Sequence, residues 1–266
     1  MDDILETNAL TRRFDQQIAV DSLTLRVQTG EVFGMLGPNG AGKTTIIKML
    51  TTLLPPTSGS ATVGGFDIIR QAAEVRRIIG YVPQLVSADG ALTGYENLLV
   101  FARLYGIPRT QREARIMEAL AFMGLSEVAG RLVRTYSGGM LRRLEIAQST
   151  LHRPRLLFLD EPTVGLDPLA RETVWEHIRQ LQARYGATIF LTTHYMEEAD
   201  SLCGRVAIMH RGRMAALGTP ADLKASLGHV NATLDEVFTH YAGEEMEGAD
   251  EYRAIARERQ AASRLG

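Results

Sequence analysis

Gly37-Pro38-Asn39-Gly40-Ala41-Gly42-Lys43-Thr44 is the stretch that decides how the rest of the chain is read. The octet has the form G-x-x-x-x-G-K-[ST]. An apolar, strand-like run, Val32-Phe33-Gly34-Met35-Leu36, leads into it. A helix-like run from Thr45 to Leu54 leads out and stops at Pro55-Pro56. Strand, loop and helix in that order are the context a phosphate-binding loop requires. Glycines let backbone N–H groups converge on phosphate oxygens without Cβ clashes, and the helix N-terminus adds a partial positive charge. Lys43 is expected to reach the β- and γ-phosphates of a nucleotide, and the Thr44 hydroxyl to ligate Mg²⁺. The alternative, a glycine-rich turn without a ligand, is disfavoured by eight matching residues in that context.

Composition bounds the rest. The 266 residues permit one large domain or two small ones. A net charge of −2 supplies no global field for recruiting nucleic acid. Lys43, Lys48 and Lys224 are the only lysines, and Cys203 is the only cysteine, so there is neither an intrachain disulfide nor a cysteine zinc site. The single cysteine fits a reducing cytoplasm. The N-terminus is acidic where a signal peptide would be basic, and no apolar run approaches the roughly 18 residues of a membrane span. A membrane role is therefore expected to need another subunit to supply the pore.

Outward from the loop, residues 4–36 read as short strands, with Leu23, Leu25 and Val27 alternating with polar neighbours. Phe14, upstream of the loop, either stacks on an adenine or packs in the core. Thr57–Ser60 reads as a turn, and Ala61–Val63 and Ile78–Val82 read as strands. From Ala91 to Ser149 the pattern is mostly helical: one amphipathic run through Leu98–Leu104 ends near Gly106-Ile107-Pro108, and another spans Arg112 to Phe122. This reads as a helical insertion in an α/β core. The core resumes at Leu156–Leu159, a continuous apolar run that suits a central parallel strand. A helix over Leu169–Arg184 closed by Gly186, a strand over Ala187–Leu191, a short helix over Tyr195–Leu202 and a hairpin around Arg211-Gly212 follow. Thr219-Pro220 opens a helix to Leu227. Residues 243–251 read as an acidic linker, and the last stretch, with Arg253, Arg257, Arg259 and Arg264, as a solvated tail or a short basic helix.

Further residues form an ordered set with the loop. Asp160-Glu161 ends an apolar strand 116 positions after Thr44; a strand-end Asp can hold Mg²⁺ and the following Glu can polarise a water. Ser137, in Tyr136-Ser137-Gly138-Gly139-Met140, is a candidate N-cap whose helix offers a second anion site. Two such sites for one nucleotide make sense if two copies sandwich the nucleotide; helix capping alone is the simpler reading. His194 ends a strand expected beside that of Asp160, where its imidazole can hydrogen-bond a γ-phosphate. Gln84 follows Tyr81-Val82-Pro83, where the helical insertion begins, and Asp167 stands in Gly165-Leu166-Asp167-Pro168.

This set resembles the ATP-binding subunit of an ABC transporter over about residues 4–230. The resemblance implies an α/β fold: a phosphate-loop (RecA-like) core with an N-terminal antiparallel β subdomain and an inserted α-helical subdomain at about 85–150. Residues 1–228 would be the cassette and 229–266 a C-terminal extension and tail. It implies ATP and Mg²⁺ as ligands, with Gly37 to Thr45 as the phosphate loop and Phe14 as the adenine-stacking aromatic. Gln84 would sense Mg²⁺ and face the membrane subunit. Ser137, Gly138 and Gly139 would contact the γ-phosphate held by the opposite copy. Asp160 becomes the metal-associated acid, Glu161 the catalytic base, Asp167 a residue of the dimer seam and His194 the switch histidine. Tyr136 and Met140 depart from the usual Leu-Ser-Gly-Gly-Gln. That variant, with Ser137–Gln148, Thr192–Asp200 and Leu234–Phe238, is similar to the daunorubicin-resistance type, whose subunits energise bacterial exporters of drugs, antibiotics or lipids. The implied partners are integral membrane permease subunits and a second copy of the chain, with no nucleic acid, at the cytoplasmic face of the cell membrane. An import ATPase of the same family is the first alternative; many of those have Gln after the two glycines. A soluble member acting on ribosomes or DNA is the second. Such proteins usually carry two cassettes or a long coiled coil, and only 92 residues separate Thr44 from Ser137.

Overall fold

In a computed structural model, residues 2–243 form two β-sheets and the helices packed on them. The antiparallel sheet is built from β1 (Asp3–Phe14), β2 (Gln17–Gln28), β4 (Ser58–Val63) and β5 (Phe66–Asp67), in the order β2-β1-β4-β5. The second sheet runs β10 (Arg213–Gly218), β9 (Arg205–His210), β3 (Val32–Leu36), β8 (Thr188–Thr193), β7 (Leu156–Asp160), β6 (Ile79–Val82). All its pairings are parallel except β9 with β10. Every residue of β3, β7 and β8 is buried, as in strands covered on both faces, including Asp160 at the end of β7 and Thr188, Thr192 and Thr193 of β8.

The pleat divides these strands between two cores. Phe33, Met35, Phe158 and Phe190 face α1 (Lys43–Leu50) and the antiparallel sheet. Leu36, Leu157, Leu159, Ile189 and Leu191 face a helical layer made by α3 (Gly94–Leu104), α4 (Arg109–Phe122), α5 (Gly138–Thr150) and α6 (Pro168–Tyr185). The fold is thus the α/β phosphate-loop core, with an antiparallel β subdomain and inserted helices, that the resemblance implied.

Several local expectations are corrected. The first strands are long, not short. Register shifts near Ala9 (φ 46°) and Ser22 (φ 50°) interrupt the alternation, so one twelve-residue strand reads as pieces. Thr57–Ser60 is not a turn: β4 begins at Ser58, and a Cβ on Gly59 (φ 77°) would meet the Ala9 carbonyl, so the glycine serves the bulge. Helix α1 starts at Lys43 and ends before the prolines, because Thr52 turns left-handed (φ 65°) and the N–H groups of Leu53 and Leu54 both donate to the Lys48 carbonyl. The strand expected from Ile78 starts one residue later, after a short helix the pattern did not reveal, α2 (Ala72–Ile78). The second helix of the insertion starts at Arg109, directly after Pro108. Gln84 does not begin a helix; a loop runs from Pro83 to α3, which opens on a Thr93–Glu96 capping box.

Helix α6 ends at Gly186 (φ 60°) as expected. Helix α7 (Met196–Leu202) and the hairpin around Arg211-Gly212 also fall where the sequence put them. Thr219 caps α8 (Pro220–Ala225). Leu234, Val237 and Phe238 of α9 (Leu234–Gly243) are buried in the helical-layer core. Gly243 ends α9; the rest of the linker expected over 243–251, and the basic stretch beyond it, lie outside the described residues. No helix among the described residues is long and apolar enough to cross a membrane.

Candidate nucleotide site

The site lies at the carboxyl ends of β3, β7 and β8, where a parallel sheet opens to ligands. β3 delivers Gly37, whose N–H donates to the Thr193 carbonyl at 3.2 Å. A Cβ there would run into the Met209 carbonyl. Gly42 caps α1 at φ 101°, and its own Cβ would lie 2.5 Å from the Ala19 carbonyl. These two positions therefore admit only glycine. The N–H groups of the first turn of α1 have no intrahelical partners by geometry and aim at the cleft.

Lys43 is buried, and its ammonium donates to the carbonyls of Gly37 (2.7 Å) and Pro38 (3.1 Å) and lies 3.0 Å from Glu161 Oε1. Glu161 Oε2 meets His194 Nδ1 at 2.5 Å. Glu161 thus bridges the loop lysine and the histidine from the neighbouring strand. It does so from a left-handed backbone, φ 50°, which a non-glycine residue keeps only where its surroundings hold it; here its N–H donates to Thr192 O and Oγ1.

Asp160 lies beside it, in register with Thr192. Its Oδ1 accepts from Thr192 Oγ1 (2.6 Å) and Thr44 Oγ1 (3.2 Å), while the buried Oδ2 has no hydrogen-bond partner. Burial pushes the Asp160 carboxyl above the usual range; the two hydroxyls and Lys43 pull against that, and the Glu161 charge adds to it.

A cleft of about 470 Å³ is lined by Pro38, Asn39, Gly40, Gly42, Lys43, Thr44, Thr45, Gln84 and Glu161. Gly37 and Ala41 support the loop from behind. The sequence reading missed the rest of the lining, Gln17, Ile18, Ala19 and Arg211. The first three follow a β-turn with no motif, and Arg211-Gly212 reads only as a hairpin tip. That tip docks on the loop through Gly212 N–H to the Ala41 carbonyl. Thr192, which holds both acids, was visible only as the end of a strand.

Five of the expected residues stand apart from this cleft. Phe14 ends β1, 43% exposed, under the Arg12 guanidinium at 4.6 Å; it is not in the core. Ser137 caps α5, with its Oγ accepting from Met140 N–H at 3.3 Å, and neither it nor Gly138 or Gly139 lines the cleft. A Cβ on Gly139 would lie 2.9 Å from that of Ala170, so this turn packs against the start of α6. Asp167 caps α6 by accepting from Ala170 N–H at 2.9 Å.

A phosphate loop closed by a helix N-terminus, with two strand-end acids, defines a nucleotide-binding ATPase of the phosphate-loop class. Comparison with known proteins narrows this: the family model described as "ABC transporter" matches residues 20–164. The daunorubicin/doxorubicin resistance ATP-binding protein DrrA of Streptomyces peucetius is 48% identical over 84% of this chain and 68% of that protein. The linearmycin resistance ATP-binding protein LnrL of Bacillus subtilis is 40% identical over 85% and 72%. The Nod factor export ATP-binding protein I of Burkholderia thailandensis is 45% identical over 82% and 72%. Among solved structures, an ATP-binding subunit of an ABC transporter superposes with a TM-score of 0.79 at 32% identity, covering 90% of this chain and 99% of that one. The chain belongs to the ABC transporter family, as an ATP-binding and ATP-hydrolysing subunit.

Proposed function

We propose that this subunit energises an exporter of a drug, antibiotic or lipid-like compound. It would work as a head-to-tail homodimer on two ATP molecules, held at the cytoplasmic face of the membrane by separate integral membrane permease subunits. The observation that carries the chemistry is Glu161, which lines the cleft and bridges Lys43 and His194. The direction of transport is supported by the three relatives, two printed as resistance proteins and one as an export protein. In this reading residues 1–228 are the cassette and 229–266 its extension and tail.

The residues present fit Mg²⁺: Asp160 Oδ2 is buried without a partner, and the Thr44 hydroxyl already reaches the other oxygen. Both are hard oxygen donors. Thr44 and Asp160 would hold the ion, with Gln84 at the open side. When bound, it would neutralise charge between the β- and γ-phosphates.

The chain's own steps follow from the contacts. Lys43 exchanges two loop carbonyls and Glu161 for phosphate oxygens, a stronger charge-assisted set. That exchange frees Glu161 Oε1 to accept a proton from water as the water oxygen bonds to the γ-phosphorus and the bond from that phosphorus to the β–γ bridging oxygen breaks, ADP leaving with the bonding pair. His194 keeps Oε2 oriented through its Nδ1 and would hydrogen-bond the γ-phosphate. Phe14 stacks on adenine. Ser137, Gly138 and Gly139 of the second copy close the site over the γ-phosphate with the N-terminus of α5, and Asp167 lies at the seam.

Affinity purification of the chain from native membranes in mild detergent tests the proposal. A polytopic membrane protein recovered in near-equal amount is expected, together with efflux of a labelled amphiphile from cells. Recovery only from the soluble fraction, with ribosomes or nucleic acid, would remove the transporter role; ATP-dependent uptake would reverse its direction.

A further inference from the structure

We infer that Arg142 and Glu145 are positioning residues for Gln84: a buried ion pair on the helix capped by Ser137 grips the backbone of the loop that carries Gln84, so that the two motifs shift as one body. The inference deepens the reading above and rests on its assignment of Gln84 and Ser137 to the site.

The loop from Pro83 to Ser87 is solvent-facing, with Leu85 82% exposed, yet its main chain is anchored in the interior. Arg142 Nη1 donates to the Pro83 carbonyl at 2.7 Å and Nη2 to the Gln84 carbonyl at 3.0 Å. Arg142 also pairs with Glu145 at 3.2 Å. Glu145 Oε1 accepts from Ser87 N–H (2.6 Å) and Ser87 Oγ (3.0 Å). The two charged side chains are 6% and 1% exposed. Burying such a pair costs desolvation energy that hydrophobic neighbours would not.

The same face of α5 continues the grip. Ser149 Oγ donates to the Tyr81 carbonyl at 2.9 Å, where β6 enters the loop. Gln148 Nε2 donates to Asn97 Oδ1 at 3.3 Å, and Asn97 in turn holds the N–H and carbonyl of Asp89. Residues 142, 145, 148 and 149 fall on one stripe of the helix. Every bond from α5 to residues 81–84 ends on a carbonyl, so what is fixed is the path of the chain rather than its side chains. Ser137 accepts the N–H of Met140 at the start of the same helix. A displacement of Ser137 as the second copy closes must therefore carry Gln84 with it, or break charge-assisted hydrogen bonds in a low-dielectric interior.

The test is a cycle on ATP hydrolysis by the purified subunit. Removing one partner alone strands a buried charge, so the pair is replaced together in Arg142→Met/Glu145→Met, which a fold tolerates far better. Expected are a melting temperature and a KM for ATP near those of the parent, with kcat lower by about tenfold or more, as for lost positioning. In a Gln84→Ala background the double replacement is expected to lower kcat no further. A folded double variant with kcat within about twofold of the parent, or equal fractional losses in both backgrounds, would overturn the inference alone. Gln84→Ala with unchanged turnover would instead remove Gln84 from the site, and this inference with it.

Discussion

Glu161 holds Lys43 and His194 with one carboxylate from a left-handed backbone. Glu161→Gln keeps the shape and loses the base, so ATP should still bind while kcat drops by about 10²–10⁴-fold; turnover within about twofold of the parent would remove Glu161 from that role. Lys43→Ala deletes a buried ammonium facing the loop, and nucleotide affinity should fall by about tenfold or more in equilibrium titration. Asp160 behaves differently. Burial raises its pKa in the folded state, so the native protein holds this proton more tightly than the unfolded chain. The group therefore contributes stability only as pH falls through the raised value towards 3.8, and at neutral pH its charge is a cost. Asp160→Asn should raise the melting temperature at pH 7 while abolishing hydrolysis; a lower melting temperature would contradict this. The loop and both acids were legible in sequence because their chemistry demands particular residue types at particular places. Gln17, Ala19 and Arg211 were not, because no motif in the sequence marks them as part of the cleft.

At the scale of elements, Tyr136 explains its own departure from the usual leucine. Its hydroxyl donates to the Val128 carbonyl at 2.7 Å, and a Cβ on residue 94 would run into that hydroxyl oxygen. Gly94 and Tyr136 therefore fix how α3 meets the turn before α5. Gly94→Ala should destabilise the protein by about 1–3 kcal/mol, and Tyr136→Leu in that background should recover part of the loss although alone it destabilises; additive losses in denaturant melts would refute the coupling. His152 follows α5, stacked on Tyr105 at 3.8 Å, and burial lowers its pKa. A lowered folded value means the unfolded chain binds the proton first, so stability should fall as pH drops below 6.5. His152→Phe keeps the stack and should flatten that acid limb; an unchanged slope would assign it elsewhere. Helices with clear periodicity and caps, such as α6 from Pro168 to Gly186, were legible to within a residue or two. The bulged strands were not, because a bulge breaks the period of two that announces a strand.

For the whole molecule, the two parts of the candidate site do not meet within one chain. The cleft of the phosphate loop is open, and the Ser137 turn packs on α6 of its own chain without lining that cleft. The sequence reading expected this division, since the resemblance put Ser137, Gly138 and Gly139 against the nucleotide of the opposite copy; what it did not reveal is that the Ser137 turn packs against the start of α6. A second copy related by a two-fold axis would bring each Ser137 turn to the other's cleft and complete two sites at once. The direct test is the mass of Glu161→Gln in solution by light scattering, with and without saturating Mg·ATP. The account predicts a shift from the 29.3 kDa of one chain to twice that mass with nucleotide, and no shift when Ser137→Glu sets a carboxylate against the γ-phosphate. A chain that stays at 29.3 kDa with Mg·ATP bound would contradict the sandwich.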